Sequence, residues 1–162
     1  MQENFIIYNE EYVQVKEILK NLTNTTQSEI AFITDSEGHC IASTGNMEDS
    51  YLNSISSLIA GSIAAVNSIA QMLSMDKFNS ILTESDDKNL YVTSINERTM
   101  LIIIFDKESN LGLVRFRVKT ATKQLESVFV KINEKAIENA GKRTESLFEG
   151  VTDADIDEIF GD

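Results

Sequence analysis

Few residues in this sequence have the chemistry for catalysis or metal binding. His39 is the only histidine, and it directly precedes Cys40, the only cysteine. Neighbouring residues of a strand point to opposite faces, so this pair is badly placed to act as base and nucleophile. One cysteine and one histidine also cannot supply the usual ligand set of a zinc site. We therefore predict no catalytic residue, no metal site and no cofactor.

Motifs for nucleotide and calcium binding are missing as well. The chain has neither a GxxxxGK[ST] phosphate loop nor a GxGxxG segment, so we do not expect it to hydrolyse nucleotide by itself. A net charge of −12 disfavours nucleic acid, because phosphates require a basic surface. With a single cysteine no internal disulfide can form, and no secretory signal is evident. We expect a soluble, cytoplasmic protein.

A binding function must then lie on a surface, and the uncharged segment over residues 51–75 is the centre of the chain. On a helix at about 100° per residue, it separates into two faces. The first face is an apolar stripe of Leu52, Ile55, Ile59, Val66, Ile69 and Leu73, flanked by Leu58 and Ile63. The opposite face carries only small residues: Ser57, Gly61, Ala64 and Ser68. A surface helix would have Lys and Glu there, whereas small side chains let another backbone approach closely.

Three interpretations of this helix compete. A membrane span needs about 20 predominantly apolar residues, and the interleaved Asn53, Asn67 and Gln71 argue against one. A helix buried on both sides of one core would also be uncharged all round. We favour the third interpretation, in which one face packs in the core and the small-residue face lies in a protein interface. We expect no membrane insertion.

The remaining periodicities predict an α+β fold. A helix begins at Asn9 and ends in the polar segment after Leu22. Short apolar runs predict strands over residues 30–33, 39–43, 78–83, 90–95 and 99–105. The order is α-ββ-α-βββ-α, with helices on one or both faces of a mainly antiparallel sheet. An open sheet edge needs covering or pairing, and homodimerisation is one solution.

A second long helix follows, with a cap at Ser109 or Asn110 and apolar residues at spacings of three and four. A coiled coil and a helix packed on the sheet explain this pattern equally well. Beside the apolar seam, Arg115, Lys119 and Lys123 form a basic stripe. The stripe is either an ordinary solvated face or a docking patch for an acidic partner.

The C-terminal segment is set apart by its charge. From Glu145 to Asp162 there are seven acidic residues and no basic one. We predict a folded domain over residues 1–138, a flexible linker over 139–151 and an amphipathic helix over 152–162. Thr152 and Asp155 resemble a capping box, and Ile156, Ile159 and Phe160 share one face of the helix. A frayed terminus is one interpretation; we favour a tethered helix that lies in a partner's groove.

Three segments together resemble the bacterial roadblock-domain proteins, a family named after a dynein light chain. They are SLIAGSIAAVNSIAQML in the central helix, LIIIFDKESNLGLVRFRVKTA around the last strand, and the ending FEGVTDADIDEIFGD. The resemblance covers nearly the whole chain. It implies a roadblock fold with a five-stranded antiparallel sheet, and a homodimer in which two sheets join and two central helices lie side by side.

The resemblance also implies a function in bacterial cell polarity and gliding motility. Such proteins activate a Ras-like small GTPase without an arginine finger, by repositioning the catalytic residues of the GTPase itself. By position, Ala64 and Ser68 would meet the GTPase, with Ser68 standing where glycine is common. The tail helix would contact the GTPase elsewhere and promote nucleotide exchange. Arg115 and Lys119 would dock further polarity proteins, and the protein would act in the cytoplasm at a cell pole.

Two other functions remain open at this point. The first is a roadblock scaffold that binds a GTPase or a polarity complex without activating it. The second is a small-molecule sensing domain, whose α+β architecture produces a similar sequence pattern. Stimulated phosphate release, binding without stimulation, and ligand-dependent thermal shift distinguish the three.

Overall fold

The computed structural model describes residues 7–150 together with Thr152, Ala154, Asp155 and Glu158. Its elements confirm the predicted order α-ββ-α-βββ-α. They are α1 (Asn9–Thr26), β1 (Ile30–Asp35), β2 (Cys40–Gly45), α2 (Asp49–Met72), β3 (Ser80–Glu84), β4 (Lys88–Ser94), β5 (Thr99–Asp106) and α3 (Leu111–Phe148). Each predicted strand lies within two or three residues of an observed one.

The five strands form one open sheet in the order β2-β1-β5-β4-β3, and every neighbouring pair is antiparallel. The central strand is β5, in which Ile102 pairs with Phe32 of β1 on one side and Val92 of β4 on the other. Residues 99–103 of β5 are all buried. This confirms the expectation that an apolar run without a polar face is a strand covered on both sides.

Two helices, α1 and α3, cover one face of the sheet. Their buried stripes include Val15 and Leu19 of α1 and Val118 and Leu125 of α3, which pack against Ile103 and its neighbours in the sheet. The spacing of these residues turns one side of each helix to the sheet. At the contact between the two helices, Lys135 of α3 donates a hydrogen bond to the buried carboxylate of Glu11 on α1. α3 is therefore a helix packed on a sheet.

Within the part of the chain that the structure describes, α2 is the element that covers the other face of the sheet. Leu52 and Ile59 of α2 are buried against Ile30, Phe32 and Ile102. The turn between β1 and β2 packs against α2. A Cβ atom at Gly38 would lie 2.6 Å from the Cα atom of Ser57, and Gly38 has a φ of +92°. Both the close approach and the left-handed backbone require glycine at this position.

The structure differs from the predicted linker over 139–151. α3 continues to Phe148, so residues 139–148 are helical, and those over 139–146 are exposed. The segment is polar, and that suggested a linker. However, it has no proline, it is rich in good helix formers, and Lys142 bonds to Glu138 one turn earlier at 2.6 Å. One glycine, Gly141, is too weak a signal to end the helix.

The capping box at the start of the tail is confirmed. The backbone N–H of Thr152 donates to Oδ2 of Asp155 at 2.8 Å, and the N–H of Asp155 approaches Oγ1 of Thr152 at 3.4 Å. The hydroxyl of Thr152 also donates to Oδ2 of Asp155 at 2.7 Å, and these contacts lower the pKa of that carboxyl. Ile156, Ile159 and Phe160 lie outside the described residues, so their shared face stays a prediction.

Candidate functional site

The small-residue stripe of α2 lies on the outside of the fold. Ser57, Gly61, Ala64 and Ser68 are all exposed, on the side of the helix that faces away from the sheet. A Cβ atom at Gly61 would meet no atom within 4 Å. The interpretation of α2 as a helix buried on both faces is therefore wrong. The structure brings the four predicted residues together on one open surface.

The hydroxyl groups on this surface are bonded within the fold rather than presented to a partner. Ser68 donates to the carbonyl of Ala64 at 2.9 Å, and Ser62 donates to that of Leu58 at 2.9 Å. Ser57 donates to the carbonyls of Asn53 at 3.1 Å and Gly38 at 3.3 Å. Because these groups keep their partners when water is removed, covering the stripe leaves few unpaired polar atoms. The surface is suited to dry, close contact.

A second exposed stripe on α2 was not predicted. It carries large apolar side chains with most of their surface accessible: Tyr51 at 64%, Leu58 at 71%, Ile69 at 51% and Met72 at 87%. Leu73, at 62%, is exposed as well. The prediction that Ile69 and Leu73 belong to the core stripe is thus wrong. Exposed apolar side chains gathered on one element are typical of a surface that binds another protein.

The buried stripe of α2 is rotated from the predicted one, and small residues explain why. Ser56 is fully buried and Ala70 is 1% exposed, and both face the sheet in line with Leu52 and Ile59. At 3.6 residues per turn this moves the centre of the stripe by about 50°. Small residues on this line let α2 lie close to the sheet. Ile69, one residue from Ala70, is then turned away from it.

A cavity of about 450 Å³ opens beside the small-residue stripe. Its walls include Ala64 and Asn67 of α2, Lys77 and Phe78 of the segment before β3, and Arg98 of the β4–β5 turn. Its volume is within the range of ligand pockets. The cavity extends the exposed surface of α2 towards the sheet edge, and its walls carry cations at Lys77 and Arg98 and an acidic side chain at Glu97.

The two edge strands of the sheet, β2 and β3, differ in how far other parts of the chain cover them. At β2, the ammonium group of Lys16 on α1 donates to the carbonyl of Ser43, so the helix partly covers this edge. At β3, three of the five residues are exposed, and the preceding Met75 and Phe78 are 52% and 37% exposed. An uncovered edge strand can pair with another chain. The open edge lies on the same side of the molecule as the cavity.

The basic residues of α3 are exposed as predicted. Arg115, Lys119 and Lys123 lie in the solvent, and none of them belongs to an ion pair with another of the residues that the structure describes. Phe116 lies among them with 63% of its surface exposed, and the guanidinium of Arg117 lies 5.8 Å from its ring centre. The patch is therefore both cationic and partly apolar.

The residues with catalytic chemistry lie in and beside the β1–β2 turn, which contacts α2 where Gly38 meets Ser57. Nδ1 of His39 is 3.1 Å from Oδ2 of Asp35, and burial is the main cause that raises the pKa of the Cys40 thiol, which makes it a poorer nucleophile. Asp35, Glu37 and His39 have potential metal ligand atoms within 4.8 Å of one another. The other carboxylate oxygen of Asp35 accepts the backbone N–H groups of Glu37 and His39 at 3.0 and 2.8 Å, which is a sufficient structural role.

The length and composition of α2 alone would allow it to cross a membrane. The same test is passed by core helices of soluble proteins. The packing of Leu52 and Ile59 against the sheet places α2 within the folded domain. The absence of membrane insertion stays a prediction.

The comparisons with known proteins agree with this architecture. The family model of the Roadblock/LC7 domain matches residues 14–105. Among solved structures, the chain is similar to MglB from Myxococcus xanthus, with 31% sequence identity and a TM-score of 0.74. That likeness covers 78% of this chain and 96% of the Myxococcus protein. No curated protein sequence matches the chain.

Two further structures are similar at lower identity. One is described as gliding protein MglB from Thermus thermophilus, with 24% identity, a TM-score of 0.72, and coverage of 79% of this chain and 97% of that one. The other is described as MglB with a tetrameric arrangement, with 22% identity, a TM-score of 0.75, and coverage of 82% and 99%. At these identities the likeness concerns the fold alone.

Proposed function

The chain belongs to the Roadblock/LC7 family, and from this premise we propose that it is a homodimeric activator of a Ras-like small GTPase of the MglA type. Its role would be in bacterial cell polarity and motility, in the cytoplasm and at a cell pole. The proposal assigns the GTPase contact to Ser57, Gly61, Ala64 and Ser68. It assigns a second contact with the GTPase to the C-terminal helix, through Ile156, Ile159 and Phe160.

The observation that carries the proposal is the exposed face of α2. The stripe has no charge and no large side chain, and its hydroxyl groups are already bonded within the fold. Such a surface has no evident use in a protein that acts alone, because a solvated helix face is normally charged. It suits a partner that brings its own backbone close to the helix axis. A GTPase switch segment is such a partner.

The proposed dimer is supported by the second stripe of α2 and by the open edge at β3. The stripe leaves Leu58, Ile69 and Met72 more than half exposed in a single chain. A second copy would cover these side chains with its own α2, and pairing of β3 with its counterpart would join the two sheets. Two small-residue stripes would then lie side by side, which doubles the surface available to one GTPase.

The activator is proposed to act without an arginine finger. Nothing in the small-residue stripe can stabilise the charge that develops in phosphoryl transfer, so the rate increase would come from repositioning the GTPase's own catalytic groups. Arg98 needs a separate test, because this arginine lines the cavity next to Ala64. A finger supplied in trans contributes about 10³–10⁵ to the rate. We expect Arg98→Ala to keep most of the stimulation, and a loss of several hundredfold at saturating protein would contradict the finger-free mechanism.

The central experiment measures phosphate release from a GTP-loaded Ras-like GTPase of the MglA type, with and without this protein. We expect stimulation by the wild-type protein and none by Ala64→Arg or Ser68→Arg, since each places a long cation where a backbone should pack. Gln124→Arg, which adds the same charge to an exposed position of α3, should behave like the wild type. Circular dichroism and light scattering must show that the α2 variants still fold and assemble.

The alternative within the same family is a scaffold that binds the GTPase without activating it. Binding that Ala64→Arg abolishes, with no change in phosphate release, would support the scaffold. The basic patch of Arg115, Lys119 and Lys123 is proposed to dock other polarity proteins in either case. Nucleotide exchange, followed with a fluorescent guanine nucleotide, tests the role of the C-terminal helix.

A further inference from the structure

The outer face of α3 carries a cluster of basic residues in a protein whose net charge is −12. Residues 111–125 contain four cations, Arg115, Arg117, Lys119 and Lys123, and no acidic residue. The segment is the N-terminal part of α3. Phe116 is 63% exposed among these charges. The face therefore fits an acidic segment that also carries apolar side chains.

The chain itself contains a segment of that kind. From Glu145 onwards it has seven acidic residues and no basic one. The hydrogen bonds between Thr152 and Asp155 form a capping box, which begins a helical turn. If the helix continues, the sequence places Ile156, Ile159 and Phe160 on one side and the carboxylates around them. The segment and the α3 face match in charge and in apolar content.

The segment cannot reach this face within its own chain. From Phe116 to Phe148 the helix is about 48 Å long, at 1.5 Å per residue. A helix over 152–160 preceded by three extended residues spans only about 24 Å. Even Lys123 lies about 37 Å from the end of α3. A contact between the two must therefore join different copies.

We propose that the C-terminal segment of one copy docks on the outer face of α3 of another copy. Carboxylates of the segment pair with Arg115, Lys119 and Lys123, and its apolar side packs against Phe116. The contact does not require the GTPase of the proposed function. It links copies beyond any pairing through α2 and β3, and it occupies the same apolar side chains that a second partner would use.

The direct test uses a fluorescently labelled peptide of residues 147–162. The receiver is the full chain carrying Ile156→Asp and Phe160→Asp, so that its own segment does not compete. We expect saturable binding by fluorescence anisotropy, and binding should weaken as salt is raised, because the pairs are exposed. Lys119→Glu in the receiver should weaken binding about fivefold. Lys20→Glu, the same charge reversal on an exposed position of α1, should leave it unchanged.

Sedimentation velocity of the full chain provides a second readout. As the protein concentration rises, we expect assemblies larger than the proposed dimer to form. They should be absent in the Ile156→Asp, Phe160→Asp chain, and in the otherwise intact Lys119→Glu chain they should need about fivefold higher concentration. Mixing these two variants should restore a limited association, because one supplies an intact α3 face and the other an intact segment.

Three results would overturn the proposal. The first is no peptide binding, and the second is binding that Lys119→Glu and Lys20→Glu affect equally. The third is binding of the protein to vesicles of phosphatidylglycerol and phosphatidylcholine that Lys119→Glu abolishes, with no binding of the peptide. That result would make the α3 face a membrane contact instead.

Discussion

The two faces of the sheet belong to the same five strands, but the helices cover them to different extents. On one face, α1 and α3 bury a large cluster that includes Leu19, Phe105 and Leu125, and the Glu11–Lys135 pair joins the two helices. On the other face, α2 buries a smaller cluster around Phe32 and Ile102, without another helix among the described residues. The first face is thus covered by helices of the same chain.

Among the residues described, the second face is only partly covered, because one helix cannot cover five strands. α2 turns Leu52, Ile59 and Ala70 to the sheet, and its large residues Leu58 and Met72 remain outside. The cavity beside Ala64 and the open edge at β3 are on this side as well. The difference indicates that the first face supplies most of the stability of the fold, whereas the second carries the exposed surfaces to which we assign the proposed contacts.

The largest expected effect comes from a leucine on the complete face. Leu125→Ala removes a fully buried side chain and should lower the free energy of unfolding by about 2–5 kcal/mol. Leu58→Ala makes the same change on α2, where the side chain is 71% exposed in a single chain, and should cost less than about 1 kcal/mol when the monomer is compared. Urea unfolding at several protein concentrations measures both. Equal losses for the two variants would contradict the division between the faces.

The next effect concerns assembly rather than folding. Leu58→Glu places a charge in the exposed apolar stripe, so it should convert the proposed dimer to a monomer with an unchanged circular dichroism spectrum. Val130→Glu is the matched control, since Val130 is also exposed, at 56%, but lies on α3. Light scattering at micromolar concentration measures the mass. A dimer that survives Leu58→Glu would show that this stripe is not the interface.

The sequence predicted what depends on local periodicity. The order of elements, the doubly buried β5 and the outward face of Ser57, Gly61, Ala64 and Ser68 all follow from spacing. The same spacing misplaced Ile69 and Leu73, because hydrophobicity alone ranks large residues first. Close packing on a sheet instead selected Ser56 and Ala70.

Two further features could not be predicted, for different reasons. The cavity joins residues from α2, from the segment before β3 and from the β4–β5 turn, and only the sheet order brings these together. The extension of α3 to Phe148 was missed because polar composition indicates exposure but does not distinguish an exposed helix from a linker. Helix propensity and the Glu138–Lys142 pair were the signals that could have found it.

A smaller effect is expected at the ion pair between α1 and α3. The hydrogen bond from Lys135 is the main cause that lowers the pKa of Glu11 from its ordinary value of 4.5. Because the pKa is lower in the folded state, ionised Glu11 stabilises the fold above about pH 4.5. This contribution is lost as the pH falls through the folded pKa. Lys135→Met leaves a buried carboxylate without its cation, so Tm should fall by a few degrees at pH 7.

The pH dependence distinguishes this pair from a surface pair. In Lys135→Met the pKa of Glu11 should rise, so protonation at pH 3 relieves the buried charge and the difference in Tm from the wild type should shrink. Lys142→Met removes the partner of the exposed Glu138 and should change Tm very little at either pH. A Tm difference for Lys135→Met that is the same at pH 7 and pH 3 would contradict this account.

The smallest effect on stability is expected from truncation after Ser146. Residues 139–146 of α3 are exposed, and no side chain among them belongs to either buried cluster, so we predict that the segment after Ser146 is not part of the core. A short helix gains little stability of its own in water. Truncation should therefore leave Tm within about one degree, because a tethered tail would make no core contacts within its own chain. The proposed dimer through α2 should also remain.

The effects of the truncation should appear in binding instead, as weaker contact with the GTPase and slower nucleotide exchange. Calorimetry and light scattering of the truncated chain test the first part, and a loss of several degrees would show that the tail packs on the domain and is not a tethered partner helix.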